Sequence, residues 1–334
     1  MIELSIVLPC RNEEDHIEKC VLSLINDNVG KSFEVLVVDG MSEDNTKKIV
    51  RKIIEDYPEV LRLVDNPKKI TPCAMNEGVK NAKGKYIIIG GVHSEYQSSY
   101  TDILINSIKE YDADICGGSF NVIPRNDSVK AKTLAVANSH KFAIGNTYYR
   151  IGSKEIREAH SVAFPCYRKE TFEKYGLFNE NLVRGQDREF ATRVAQSGGK
   201  VLLNPNAVIN YKLRSTFREY FKWMYRGGFW VFYGSKFTEK PIPEWRNYIP
   251  LLFVLYLISL FVLPFYLNSI FSYILLLPLL LYFSLSVYYT LNMQKKLFGL
   301  ISMSIFLLHF PAVHIIYGIG ALFGFLRYKF SWGN

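Results

Sequence analysis

Phe33-Glu-Val-Leu-Val-Val-Asp-Gly-Met-Ser-Glu-Asp-Asn-Thr46 joins an apolar run to an acidic end and then to a cluster of short polar side chains. The run Phe33–Val38 predicts a buried strand that stops at Asp39-Gly40. Ser42–Asp56 predicts a helix with Ser42 as N-cap and Asp44 in its first turn. A strand that ends in an acid and feeds a helix N-terminus is a building unit of an open α/β sheet. Ligands of such sheets sit at the carboxyl ends of the strands.

The chain on either side repeats the unit. Leu4–Leu8 predicts a strand, and Ile17, Val21, Leu24 and Ile25 give Glu13–Asn26 a helical spacing. Leu61–Val64, the helix Thr71–Ala82 and the strand Lys85–Ile89 follow. The alternation predicts a mostly parallel sheet with helices on both faces. Its polar punctuation falls at strand ends, in Pro9–Glu13, Asp39–Asp44 and Gly90–Glu95. Strands at Asp114–Asn121, Ser161–Cys166 and Lys200–Leu203 and helices at Lys169–Tyr175 and Gln186–Ser197 complete the domain. Asp127–Lys154 reads as a helix followed by a loop over the site.

The charge is divided unevenly. The net charge is +9, yet Tyr248–Leu326 holds only Lys295 and Lys296. The basic residues gather ahead of the apolar region, which favours an anionic membrane surface over nucleic acid as partner. Arg214–Tyr233 interleaves Arg and Lys with aromatic rings, as in a helix lying in the headgroup layer or packed on the domain. Tyr248–Leu267 and Ile270–Leu291 are each long enough to span a hydrocarbon core, which takes about 20 residues, and they predict a hairpin turning at Asn268-Ser269. Leu297–Leu326 gives a third span or, with Pro311, His309 and His314 inside it, a kinked or re-entrant helix. The expected division is a cytosolic domain over 1–212, an amphipathic helix and linker over 213–246, and a membrane region over 247–330. No basic, apolar leader precedes the first strand, which places the first domain in the cytosol. The five cysteines form no Cys-x-x-Cys pair and predict reduced, buried thiols.

Three motifs at strand ends, in this order and spacing, point to a nucleotide-sugar site: Pro9-Cys-Arg-Asn-Glu13, Val37–Thr46, and Cys73-Ala-Met-Asn-Glu-Gly78 followed by Gly84-Lys-Tyr-Ile-Ile-Ile89. With the later Gln186-Asp187 pair, they resemble family 2 glycosyltransferases of the GT-A fold. Membrane-bound members of the succinoglycan-synthesis type are similar also in Gly145–Arg150, in Phe164–Glu170 and in the glycine pattern of His314–Gly324. The resemblance implies that Pro9, Arg11 and Glu13 line the nucleotide pocket, and that Asp39 holds the base with Ser42 nearby. It places Asn76 and Gly78 by the ribose and diphosphate, and Asp187 as the base that deprotonates the acceptor hydroxyl. Asp187 also suits the N-cap of the helix that follows it. Arg150, Gln186, Arg214 and Arg218 are candidate contacts to acceptor or phosphate.

The family also implies a divalent metal, Mg2+ or Mn2+, held by Asp-x-Asp or Asp-x-His after the fourth strand. Gly91 stands where the first Asp belongs, which leaves His93 and Glu95 as candidate ligands and metal dependence in question. The expected reaction is inverting transfer from a nucleotide-sugar, UDP-linked, to a polyprenyl-linked glycan at the membrane, in the building of an exopolysaccharide or cell-surface glycan. Two alternatives stay open: a polyprenyl-phosphate glycosyltransferase, and an inactive scaffold of the same fold.

Overall fold

Strands that carry apolar residues on both faces must be covered on both, and the parallel part of this sheet is built that way. The computed structural model describes residues 2–213, 216–265, 273–297 and 299–330. The chain forms two compact units, Met1–Asn121 with Thr147–Lys212, and Val122–Asn146 with Leu213–Asn334.

In the first unit β1 (Leu4–Cys10), α1 (Ile17–Asp27), β2 (Phe33–Asp39), α2 (Thr46–Asp56), β3 (Leu61–Asp65), α3 (Thr71–Asn81) and β4 (Tyr86–Ile89) realise the predicted alternation. β1 pairs in parallel with β2 and β4, and β2 with β3. Period-two alternation divides the core. Ile6, Leu8, Val35, Val37 and Ile88 pack on one face of the sheet, and Val7, Leu36, Val38, Ile87 and Ile89 on the other. Each such fully buried side chain stabilises the fold by about 1.5–3 kcal/mol.

Beyond β4 the sheet changes character. β5 (Ser94–Tyr96), α4 (Tyr100–Tyr111) and β6 (Ile115–Ile123) come next in the chain. After the excursion through the second unit follow α7 (Tyr148–Ile151), β7 (Arg157–Glu158), β8 (Ala163–Arg168), α8 (Lys169–Tyr175), α9 (Gln186–Gln196) and β9 (Val201–Lys212). The sheet order is β3-β2-β1-β4-β8-β6-β9-β5, with β7 on β9. The pairs β4/β8, β6/β8, β5/β9 and β7/β9 are antiparallel. The sheet is therefore mixed, parallel through β3-β2-β1-β4 and then antiparallel. All five cysteines are free and buried.

The second unit is helical. It contains α5 (Val129–Asn138), α6 (Lys141–Ile144), α10 (Phe217–Tyr233), α11 (Trp245–Val262), α12 (Leu277–Asn292) and α13 (Leu300–Phe330). Within 127–154 the expected helix is α5, followed by the short helices α6 and α7. Val122–Asn146 belongs with the C-terminal helices, because Ala137 and Ala143 share a buried cluster with Leu297, Phe306 and Phe310. The division after Lys212 coincides with the expected one, and Val122–Asn146 adds an earlier excursion.

Glycines set how closely these helices approach. A Cβ on Gly320 would lie 2.2 Å from the Tyr225 carbonyl oxygen, and one on Gly324 2.3 Å from that of Phe229, both on α10. On Gly318 it would lie 2.2 Å from the Pro250 oxygen of α11. The glycine pattern of His314–Gly324 thus seats two helices on α13 by letting backbones meet.

Trp245–Phe265 and Leu300–Phe330, of 21 and 31 residues, are long and apolar enough to cross a membrane. On the first, Ile249, Leu252, Leu255, Ile258 and Phe261 are exposed, a face that water would disfavour. The predicted second span is shorter than expected among the described residues, since α12 has 16 residues. The turn at Asn268-Ser269 lies outside the described residues. α13 runs as one helix with Pro311 inside it.

Candidate functional site

The carboxyl ends of β1 and β2 are laced together by side chains. Asn12, with φ of 55°, turns the chain after β1 through the left-handed region that Asn tolerates. Its backbone N–H donates to Ser42 Oγ at 2.8 Å, and its Oδ1 accepts from the Glu43 N–H at 2.9 Å. The Glu13 N–H donates to Thr46 Oγ1 at 2.7 Å, and the Asn45 N–H to Glu14 Oε2 at 3.0 Å.

Asp39 lies beneath this lacing, fully buried. Its carboxylate accepts from the Ser42 N–H at 2.8 Å and from the Ser42 hydroxyl. Lys47 Nζ lies 3.6 Å from Asp39 and 2.7 Å from Asp65, which keeps the buried charge paired. The predicted N-cap at Ser42 is corrected accordingly. The helix starts at Thr46 with Asn45 at its cap, because Asp39 holds Ser42 in the turn.

Arg11 is exposed, with Nη2 3.4 Å from Glu43, and Pro9 sits in β1 opposite Val38. Asn76 has 2% of its surface exposed and faces the segment after α8. Its Nδ2 donates to the Phe178 carbonyl at 2.9 Å and to Glu180 at 3.1 Å, and its Oδ1 accepts from the Phe178 N–H at 2.9 Å. Gly78 is packed on β1, where a Cβ would meet Val7 Cγ1 at 2.1 Å. Both positions therefore make interior contacts. Lys68, 2.6 Å from Glu180, and the Asn76 amide after it hold that carboxyl down to about 2.

Asp187 stands in the first turn of α9, where negative charge is favourable. Gly185, with φ of 81°, is the N-cap residue, so the suggested cap role for Asp187 is corrected. The Asp187 side chain is exposed, and Oδ1 accepts from the Arg188 N–H at 2.8 Å. Burial first, and the charge of Asp187 next, push the Tyr167 phenol well above its ordinary value. Gln186 Nε2 reaches Met75 Sδ at 3.6 Å, and its Oε1 is buried without a partner. The Arg150 guanidinium lies 5.1–5.4 Å from the ring centres of Phe120, Tyr149 and Tyr211, an aromatic seat that fixes the cation. Arg218 is exposed on α10 of the second unit. Arg214 lies outside the described residues.

The candidate metal ligands follow the end of β4. A Cβ on Gly91 would lie 2.5 Å from Phe164 Cζ, so the ring of Phe164 takes the space a side chain at 91 needs. Phe164 itself carries φ of 34°, a strained value for an aromatic residue. Glu95 is tied to Lys19 and to Lys212, each at 2.9 Å, and these two lysines hold its carboxyl down to about 2. His93 Nε2 meets Glu13 Oε1 at 3.0 Å, with the His16 ring edge-on at 4.6 Å. No three His, Cys, Asp or Glu residues converge on one point among the described residues. Residues 91 and 95 do not fit a cation, whereas Glu13 and His93 offer one oxygen and one nitrogen. Sequence reasoning missed the Glu13–His93 pair, the Lys47 bridge and the Phe164 ring, since each depends on side chains that only the folded sheet brings together.

A mixed sheet of this order, with polar turns at the β1, β2 and β4 ends and an acid opening α9, defines a GT-A nucleotide-sugar transferase. The model of glycosyl transferase family 2 matches residues 5–176. The chain is 31% identical over 231 residues to a dolichyl N-acetyl-α-D-glucosaminyl phosphate 3-β-D-2,3-diacetamido-2,3-dideoxy-β-D-glucuronosyltransferase of Methanococcus voltae, covering 66% of this chain and 70% of the relative. It is 28% identical to the succinoglycan biosynthesis protein ExoA of Rhizobium meliloti, over 74% of each. In fold it is similar to the mannosyltransferase PcManGT of Pyrobaculum calidifontis in complex with GDP-Man and Mn2+. That TM-score is 0.61 at 16% identity, over 99% of this chain and 88% of the other. The chain belongs to glycosyl transferase family 2, and it is a membrane-associated glycosyltransferase.

Proposed function

We propose that the protein transfers a sugar, with inversion, from a UDP-linked donor to a polyprenyl-linked glycan at the cytoplasmic face of a membrane that it crosses more than once. The observation that carries this reading is Asp187, an exposed carboxylate on the first turn of α9. The acceptor hydroxyl gives its proton to Asp187 as its oxygen bonds to the anomeric carbon. The bond from that carbon to the donor phosphate breaks on the opposite face, and the nucleoside diphosphate leaves. Asp39 fixes the donor loop through Ser42, Arg11 faces the phosphates, and Arg150 on its aromatic seat meets the acceptor side. A divalent metal, when bound, would neutralise charge on the departing diphosphate. The relatives from Methanococcus voltae and Rhizobium meliloti, named for a dolichyl phosphate glycan and for succinoglycan, support a lipid-linked acceptor in surface-glycan synthesis.

The test is nucleoside-diphosphate release by the detergent-purified chain from UDP-, GDP- and dTDP-sugars with polyprenyl lipid extract. Release that requires the lipid and disappears in Asp187→Asn supports the reading. Lipid-dependent release that survives Asp187→Asn removes Asp187 as the base, and no release from any donor favours an inactive scaffold.

A further inference from the structure

We propose that Glu13, at the end of β1, supplies the carboxylate that position 91 lacks, and that with His93 it holds a divalent cation only when a donor diphosphate completes the coordination. This rests on the donor reading above. Three observations carry it.

Position 91 is closed by the Phe164 ring, so no small shift of β4 brings a ligand there. Glu95 is held by two ammonium groups at 2.9 Å, and a cation would have to displace both. Glu13, by contrast, has its backbone N–H anchored on Thr46 and its carboxylate 18% exposed at the ligand-binding edge of the sheet, against an imidazole that is 53% exposed.

The spacing suits a cation. Glu13 Oε1 and His93 Nε2 are 3.0 Å apart. Two neighbouring ligands about 2.1 Å from an octahedral ion stand about 3.0 Å from each other, so an ion fits the pair with little movement of either side chain. A mixed oxygen and imidazole set suits Mn2+ better than Mg2+. Two protein ligands are too few to retain the ion alone, in keeping with the absence of any three-residue group among the described residues. The diphosphate oxygens and water supply the rest, which makes metal and nucleotide binding mutually dependent.

The experiment is a Mn2+ titration of the full chain in detergent, reading the free-ion electron paramagnetic resonance signal with and without UDP, GDP or dTDP. Nucleotide affinity in EDTA is measured in parallel. The wild type is expected to take up Mn2+ only with nucleotide present. Glu13→Gln and His93→Gln each weaken that uptake by about tenfold or more, since loss of a ligand costs at least as much as loss of an outer-shell partner. Uptake is compared at saturating nucleotide, both variants melt within about 2 °C of wild type, which shows that they are folded, and Glu95→Gln leaves uptake within about twofold of wild type, well inside that loss. Undiminished uptake by Glu13→Gln, or loss in Glu95→Gln instead, overturns the assignment. Nucleotide bound equally well with and without Mn2+ overturns it too, while the donor reading stands. No nucleotide bound under any condition overturns the donor reading and this assignment together.

Discussion

Replacing Asn76 by Ala separates two roles for one side chain. The family resemblance sets Asn76 beside the donor, whereas the structure has its carboxamide holding the Phe178–Glu180 segment through three hydrogen bonds. The substitution strands the Phe178 N–H and carbonyl in the interior. An unsatisfied buried group costs about 1–3 kcal/mol, and Glu180 keeps Lys68 as a partner, so the loss comes to about 3 kcal/mol. For a unit of this size each kcal/mol lowers the melting midpoint by about 2–4 °C, which gives a drop of about 6–12 °C. The assay is a thermal melt in detergent beside donor KM, measured well below the transition. A midpoint within about 2 °C of wild type, where a drop of several degrees is expected, together with a KM raised several-fold, would refute the reasoning and return Asn76 to the donor pocket.

Asp187→Asn lowers kcat by about 10²–10⁴-fold, the usual contribution of a general base, with an unchanged melting midpoint because the carboxylate is exposed; single-turnover rates and a melt check both. Glu95 titrates near 2 when folded, below the usual glutamate value, so its ion pairs stabilise the fold above pH about 4.5 and that contribution fades as pH falls towards 2. Glu95→Gln should therefore differ in melting midpoint from the wild type at pH 6, with the difference shrinking steadily between pH 5 and 2.5. Gly320→Leu drives a side chain into the Tyr225 carbonyl and destabilises the second unit by about 1–3 kcal/mol or more. Hydrogen exchange over α10 should rise as its seat on α13 is lost.

The parallel half of the fold was legible because β1, β2 and β4 carry apolar residues on both faces, Ser5 and Glu34 apart, and end in polar turns, a pattern that needs no partner to be read. The antiparallel half was less so. β5 is three residues long and leaves almost no period, and β9 extends nine residues past the expected end at Leu203 because Glu95 and its neighbours pair with it. At the site, the Asp39 motif announced itself through Asp, Ser and Thr at fixed offsets. Its burial did not, since Lys47 looks like any surface lysine of α2 until Asp39 and Asp65 are seen beside it. Gly91 stood out in the sequence as a missing acid. Only the structure pairs it with Phe164, 73 residues on in the chain, and explains why the acid cannot simply be put back. Asn76 shows the opposite error: a motif position whose side chain faces inward looks the same in sequence as one that faces a ligand.

The excursion Val122–Asn146 makes the catalytic unit discontinuous along the chain. The ribosome completes the first half of the sheet, then the whole of α5 and α6, before β8 and β9 exist to close it. The chain leaves this unit twice, after Asn121 and after Lys212, and the two exits lie side by side, with the Leu213 N–H on the Ile123 carbonyl at 3.1 Å. A single scission after Lys212 therefore cannot free a soluble catalyst. It would strip the apolar cover from Ala137 and Ala143 and leave them as a sticky flap. Isolating this unit takes removal of Leu213–Asn334 and excision of Val122–Asn146, with Asn121 joined to Thr147.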